Sequence, residues 1–131
     1  MRNASIESSE NKNRPKFKMM IEKLYLFQSI ISAPELGPEL SLAFANRSAC
    51  LYHKGNYEKC LQDISLALRY KYPKRLEYKL QQRKGQCLTK LKYHKESEKA
   101  FLEAINALDF DSKMSIEKRQ QLHKDIEALM R

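Results

Sequence analysis

The stretch ANRSACLYHKGNYEKCLQDISLAL, residues 45–68, decides the fold. Two helix-forming segments flank the turn signal KGN at residues 54–56, because glycine and asparagine favour tight turns. In the second segment, small, large and small side chains follow at steps of four and three residues, at Cys60, Ile64 and Ala67. Residues with this spacing share one helix face, so the small ones let a neighbouring helix approach closely while the large one fills the groove. The stretch therefore predicts a hairpin of two antiparallel helices.

The same pattern recurs after a shift of 37 residues, and small residues match small ones and large residues large ones in most pairs. The matched pairs are Ser48 with Gly85, Cys50 with Cys87, Leu51 with Leu88, Tyr57 with His94, Cys60 with Ser97, Ile64 with Phe101, Ala67 with Ala104, and Leu68 with Ile105. The predicted repeat-packing residues are Ser48, Tyr57, Cys60, Ile64, Ala67, Gly85, Ser97, Phe101 and Ala104. Two hairpins of such similar build are expected to stack side by side and bury each other's apolar faces.

The amino-acid composition and the positions of the turn-forming residues extend the prediction of helices to the whole chain of 131 residues. Three glycines and four prolines are too few for the many turns of a sandwich or barrel, which favours an all-α fold. The predicted order is a flexible polar tail at 1–16, a half repeat at 17–34, repeats at 39–73 and 74–108, and a capping helix at 115–130 with Ser115 as its N-cap. The fold class is thus a helix-turn-helix repeat superhelix. The last helix either caps it or docks onto a further domain.

The positive charge is concentrated in the middle of the chain. The net charge is +9, and residues 41–90 hold eleven Lys and Arg against three Asp and Glu. Clustered charge attracts oppositely charged partners. We therefore expect this segment to form a concave basic groove that binds an acidic peptide or protein tail.

Nucleic acid is the alternative partner for a basic segment. Tyrosines could stack on bases, namely Tyr52, Tyr57, Tyr70, Tyr72 and Tyr78. However, Tyr57 falls at a packing position, the Lys and Arg residues are interleaved around helices, and the run KYPKR at 71–75 reads as a solvated loop. These features disfavour nucleic acid and favour a protein partner.

No residues of the sequence form a recognisable active site. Cys50, Cys60 and Cys87 fall where the repeat needs a small apolar residue, so we expect buried, inert and reduced thiols. The three histidines are far apart in sequence, and Ser48 is explained by close helix packing. No glycine-rich phosphate loop is present. We expect no catalysis by this chain, and no bound metal or cofactor.

Residues 45–68 resemble a tetratricopeptide repeat, whose usual length is about 34 residues. In co-chaperones of this family a carboxylate clamp grips the C-terminal aspartate of the EEVD tail of heat-shock chaperones. The resemblance assigns three clamp residues here, namely Asn46, Lys79 and Arg83, of which Lys79 and Arg83 lie four residues apart and Asn46 aligns with Arg83. Two further clamp members, a Lys and an Asn, have no counterpart, so the clamp is expected to be weak. Alternatively, the three residues are ordinary solvated side chains.

Roughly residues 20–130 resemble the N-terminal repeat segment of the SET and MYND domain-containing protein-lysine methyltransferases, in an arthropod version. The matching motifs, in order, are SAPELGPELSLAFANRSACLYHKGNYEKCLQDISLAL at 32–68, the YP connection at 72–73, KLQQRKGQCLTKL at 79–91 and SIEKRQQLHKDIEAL at 115–129. The family's MYND module binds zinc and its SET domain uses S-adenosylmethionine. Three scattered cysteines cannot supply two tetrahedral zinc sites. We therefore expect an interaction scaffold or, alternatively, an N-terminal regulatory fragment of such an enzyme.

We expect neither a secretory signal nor a membrane-spanning segment, since residues 1–18 are polar and no apolar run approaches the ~20 residues that a span needs. We expect the protein in the cytoplasm or nucleus.

Overall fold

The computed structural model describes residues 37–131, which form helices and no strands. The helices are α1 (Gly37–His53), α2 (Tyr57–Arg69), α3 (Glu77–Lys90), α4 (His94–Ala107) and α5 (Ile116–Leu129), with short 3-10 turns at Lys74–Leu76 and Leu108–Phe110. The all-α prediction is confirmed. The tail and half repeat predicted at 1–16 and 17–34 lie outside the described residues. Within 37–131, none of the helices combines the length and apolar character that crossing a bilayer requires.

The two helical hairpins, α1–α2 and α3–α4, turn in the same way. Gly55 and Lys92, which are 37 residues apart, both adopt left-handed backbone, with φ of 81° and 70°. Each turn closes with three backbone hydrogen bonds, and those of the first recur at the equivalent atoms of the second. In the first turn the bonded amide and carbonyl pairs are Lys54 to Cys50, Gly55 to Tyr52 and Asn56 to Leu51. In the second turn they are Leu91 to Cys87, Lys92 to Thr89 and Tyr93 to Leu88. The repetition seen in side-chain size therefore extends to the backbone.

Substitution of Gly55 by alanine isolates the backbone contribution to the first turn. A Cβ at this position meets nothing within 4 Å, so no clash contributes. We expect Gly55→Ala to lower the free energy of unfolding by about 1–2 kcal/mol, the cost of a left-handed L-residue. Urea denaturation followed by circular dichroism measures this loss of stability. Lys59→Ala, on the exposed side of α2, is the control. Equal stability of Gly55→Ala and the wild type would contradict the φ of 81°.

Helix α5 closes an apolar cluster at the end of the second hairpin. Ile126 is fully buried against Phe101, Ala104 and Leu108. Ser115 Oγ accepts a hydrogen bond from the Lys118 amide at 3.1 Å, which confirms the predicted N-cap. Helix α5 thus begins and packs as an ordered part of the fold.

A single arginine of α5 ties this helix to the turn before it. Arg119 Nη2 donates to the carbonyl of Asp111 at 2.9 Å, and Arg119 Nε donates to that of Leu108 at 3.4 Å. The Leu108 carbonyl lies at the end of α4, where helical acceptors lack partners along the chain, whereas the Asp111 carbonyl also accepts from the Met114 amide at 3.2 Å.

Candidate functional site

Most of the predicted packing residues lie inside the hairpins. Eight are buried, namely Ser48, Cys60, Ile64, Ala67, Gly85, Ser97, Phe101 and Ala104. Tyr57 is half-buried, and its ring centroid lies 5.6 Å from that of Tyr52 in an edge-to-face arrangement. These residues therefore set the spacing of the helices that carry the candidate site.

Gly85 of α3 is in direct contact with the ring of Phe101 of α4. A Cβ added at Gly85 would stand 2.6 Å from Phe101 Cε1, closer than side-chain atoms can approach. The hydroxyls of Ser97 and Thr89 lie 2.9 Å and 3.0 Å from the Gly85 carbonyl oxygen and 2.6 Å from each other. In the first hairpin, Ser48 and Ile64 stand at the equivalent positions, so a larger residue on one helix is matched by a smaller one on the other.

Arg83 joins the first helices of the two hairpins. Its Nη1 donates to Ser48 Oγ at 2.9 Å and to the Ala45 carbonyl at 3.3 Å, both on α1. Ser48 Oγ itself donates to the Ala45 carbonyl at 2.7 Å. The candidate ligand-binding arginine is thus half-buried and held in one position by α1.

Asn46 and Lys79, the other two clamp candidates, are exposed. Among residues 37–131 no hydrogen bond links Asn46, Lys79 and Arg83 to one another. Asn46 and Arg83 hold equivalent repeat positions on α1 and α3, and Lys79 lies one helical turn before Arg83. Within the described residues, hydrogen bonds therefore do not join the three candidates into a cluster.

We define the α1–α3 face as the exposed and half-exposed stripe that runs along these two helices. Its residues are Leu42, Asn46, Ala49 and His53 of α1 and their repeat equivalents Lys79, Arg83, Gln86 and Lys90 of α3. Three of the four α3 residues are cationic, whereas Leu42, Asn46 and Ala49 carry no charge. The face therefore has one basic side and one neutral side.

An ion pair between Arg47 and Asp63 was not anticipated from the sequence. Arg47 Nε and Nη2 donate to Asp63 Oδ2 and Oδ1 at 2.6 Å and 2.8 Å, which joins α1 to α2. The Asp63 side chain is 3% exposed and that of Arg47 is 19% exposed. The sequence does carry a signal for this ion pair. Asp63 places a carboxylate at the repeat position where the second hairpin has Ala100, which is buried. Arg47 is therefore occupied within the fold, which reduces the free basic charge of this segment.

Two of the three cysteines meet between the hairpins. Cys60 Sγ of α2 and Cys87 Sγ of α3 are 3.1 Å apart and fully buried, whereas Cys50 is half-buried. The hydrogen bond with Cys87, followed by burial, raises the pKa of the Cys60 thiol. That same hydrogen bond lowers the pKa of Cys87, with help from the charge of Arg83 and against the effect of burial. The predicted burial is confirmed for this pair; the close sulfur contact was not predicted.

Several tyrosines named as stacking candidates are used in packing. Tyr78 is 6% exposed within the core cluster, and burial raises its pKa. Tyr70 stacks on Phe44, with ring centroids 5.9 Å apart. Tyr72 is half-buried, and burial is the main cause of its raised pKa.

Within residues 37–131, no three His, Cys, Asp or Glu side chains are grouped to hold a metal ion. His53, His94 and His123 are exposed, and His123 Nε2 lies 3.3 Å from Glu127 Oε2. Ser48 is buried and hydrogen-bonded to Arg83, as described above.

The two stacked hairpins place this chain in the class of all-α helical-repeat proteins with a tetratricopeptide-like fold. The α1–α3 face is the surface of that repeat on which the candidate residues lie. Relatives named protein-lysine N-methyltransferase SMYD4 match this chain. Chicken SMYD4 is 35% identical over 102 residues, covering 78% of this chain and 14% of the relative. Mouse SMYD4 is 35% identical over 91 residues, covering 70% and 11%. Human SMYD4 is 51% identical over 53 residues, covering 40% and 7%.

SMYD4 proteins are therefore homologues of this chain over the matched residues, which confirms the resemblance to the SET and MYND domain-containing proteins. The chain spans about one seventh of the length of the chicken relative. No family model matches the chain. No solved structure matches it either.

Proposed function

We propose that this chain is the helical-repeat segment of a SMYD4-type protein-lysine methyltransferase and that its role is to bind protein. The observation that supports the assignment is the homology with SMYD4 over most of the chain. In this proposal the segment itself performs no methyl transfer. S-adenosylmethionine and zinc belong to the SET and MYND modules that the resemblance implies, and the protein works in the cytoplasm or nucleus.

The proposed ligand is an acidic C-terminal tail bound along the α1–α3 face. Arg83 supports it best, because its two hydrogen bonds to α1 orient the guanidinium before a ligand arrives. A pre-positioned arginine loses less side-chain entropy on binding than a free one. Its remaining N–H groups, together with Lys79, supply charge-assisted donors for a carboxylate. A heat-shock chaperone tail is the partner that the tetratricopeptide resemblance suggests.

We expect a low affinity for the acidic tail, because two clamp members have no counterpart here. In addition, Arg83 Nη1 already donates a hydrogen bond to α1. Each ~1.4 kcal/mol of lost ligand contact weakens binding about tenfold.

A peptide titration tests the proposal. Isothermal calorimetry of the full chain with a peptide ending in Glu-Glu-Val-Asp should show binding, and Lys79→Ala should weaken it about three- to tenfold. Lys79 is exposed, so its removal leaves the fold intact. Lys99→Ala, an exposed lysine of α4, is the matched control and should bind like wild type. A peptide with an amidated C-terminus should bind more weakly. Equal affinity of the wild type and Lys79→Ala would rule out the clamp.

The transcript decides whether this segment belongs to a methyltransferase. If the natural message continues after the codon for Arg131 into cysteine pairs with zinc-ligand spacing, the chain is part of an enzyme. If the message stops there, the chain works by binding alone. Sequencing of full-length cDNA makes this distinction.

A further inference from the structure

The proposed function does not use the buried thiol pair between the hairpins, and this pair is a candidate modification site. We propose that Cys60 and Cys87 form a reversible disulfide bond that joins the first hairpin to the second. The two sulfur atoms are 3.1 Å apart. A disulfide bond of about 2.05 Å therefore requires them to move closer by only about 1 Å.

The contact between neighbouring helices supports this pairing. Cys60 and Cys87 lie on α2 and α3, which are consecutive helices of different hairpins in contact with each other. Both sulfurs are fully buried, whereas Cys50 lies on α1 and is half-buried. Cys60 and Cys87 are therefore a pair whose sulfur atoms the fold already brings to 3.1 Å.

Arg83 gives the site the electrostatics of a reactive pair. The charge of Arg83 favours a thiolate on Cys87, and so does the hydrogen bond that joins the two thiols. A thiolate, and not a thiol, is the nucleophile in oxidation. Cys87 is thus the sulfur that is expected to react first.

Hydrogen peroxide is the oxidant class that suits a buried pair, because it is small and uncharged. The Cys87 thiolate attacks one peroxide oxygen, the O–O bond breaks, and a sulfenic acid and hydroxide form. The Cys60 thiol then attacks the Cys87 sulfur, and its proton passes to the second hydroxide as that group leaves. The two thiol protons convert both hydroxides to water, so two thiols and one peroxide give one disulfide and two waters.

The disulfide would restrict the relative motion of the two hairpins. It closes a loop between residues 60 and 87, which removes conformations from the unfolded chain. For a domain of this size we expect the unfolding midpoint to rise by roughly 10 °C after oxidation.

Trypsin provides a direct test because it separates the three cysteines. They fall in the peptides SACLYHK (48–54), CLQDISLALR (60–69) and GQCLTK (85–90). The full chain is treated with equimolar hydrogen peroxide, blocked with N-ethylmaleimide under denaturing conditions and digested for mass spectrometry. The expected product is CLQDISLALR linked to GQCLTK, with the peptide of Cys50 alkylated, and dithiothreitol should restore both free peptides.

Variants separate the proposed bond from other oxidation products. Cys50→Ser should keep the linked peptide and the rise in midpoint, whereas Cys87→Ser and Cys60→Ser should each lose both. If one of these two variants does not fold, the other and the wild-type peptide map still decide. A disulfide that includes Cys50, a dimer between chains, or complete alkylation of all three cysteines after peroxide would overturn the proposal.

Discussion

Replacement of Arg47 by methionine lowers the free energy of unfolding by about 3–5 kcal/mol, the usual cost of leaving one member of a buried ion pair without its partner. The reason is the position of Asp63, whose side chain is 3% exposed and has Arg47 as its partner in the described part of the chain. Methionine keeps the apolar stem of residue 47, so the loss comes mainly from the charge. Urea denaturation measures it.

The second hairpin suggests the variant that should restore stability. It has Lys84 and Ala100 at the positions of Arg47 and Asp63, and Ala100 is buried without a charge. The double variant Arg47→Met/Asp63→Ala should therefore regain most of the lost stability. Asp63→Ala alone should cost less than Arg47→Met, because the half-buried Arg47 reaches water more easily. Additive losses in the double variant would show that the two residues do not stabilise each other.

Replacement of Gly85 by serine is the second large effect that we expect. The new Cβ would stand 2.6 Å from Phe101 Cε1, so the ring or the helices must shift. Overpacking of this kind costs about 1–3 kcal/mol, although a glycine inside a helix is otherwise unfavourable by about 1 kcal/mol. A thermal melt of Gly85→Ser should show the lower midpoint.

The first hairpin again supplies the compensating pair, since it has Ser48 and Ile64 where the second has Gly85 and Phe101. Gly85→Ser/Phe101→Ile should be more stable than the sum of its two single changes predicts. Gly37→Ala is the matched control, because its Cβ would lie 3.6 Å from the Tyr70 carbonyl oxygen, an ordinary contact. A loss for Gly37→Ala as large as for Gly85→Ser would argue against the clash.

Side-chain size and spacing predicted the helical hairpins, the KGN signal at 54–56 predicted the first turn, and the low number of glycines and prolines predicted the all-α class. The reason is physical: helix faces and close approaches depend on residues three and four positions apart, which lie within a short stretch of sequence. The 37-residue shift aligned Gly55 with Lys92, and both have left-handed backbone. Ser115 was recognisable as an N-cap because that interaction spans only three residues.

Contacts between helices could not be predicted in this way. Arg47 and Asp63 are 16 residues apart, and Cys60 and Cys87 are 27 residues apart. Periodicity placed Cys60 at a packing position but does not show which residue on another helix it meets. For the same reason the sequence identified Arg83 as a ligand candidate without showing that α1 holds it through Ser48.

The α1–α3 face is the surface on which the proposed function depends, and nuclear magnetic resonance tests it most directly. The full chain labelled with ¹⁵N is titrated with the peptide ending in Glu-Glu-Val-Asp, and the amide shifts are mapped. Binding at this face predicts shifts concentrated at Asn46, Lys79, Arg83 and their neighbours along α1 and α3. Shifts confined to α4 and α5, or no shifts at millimolar peptide, would contradict it.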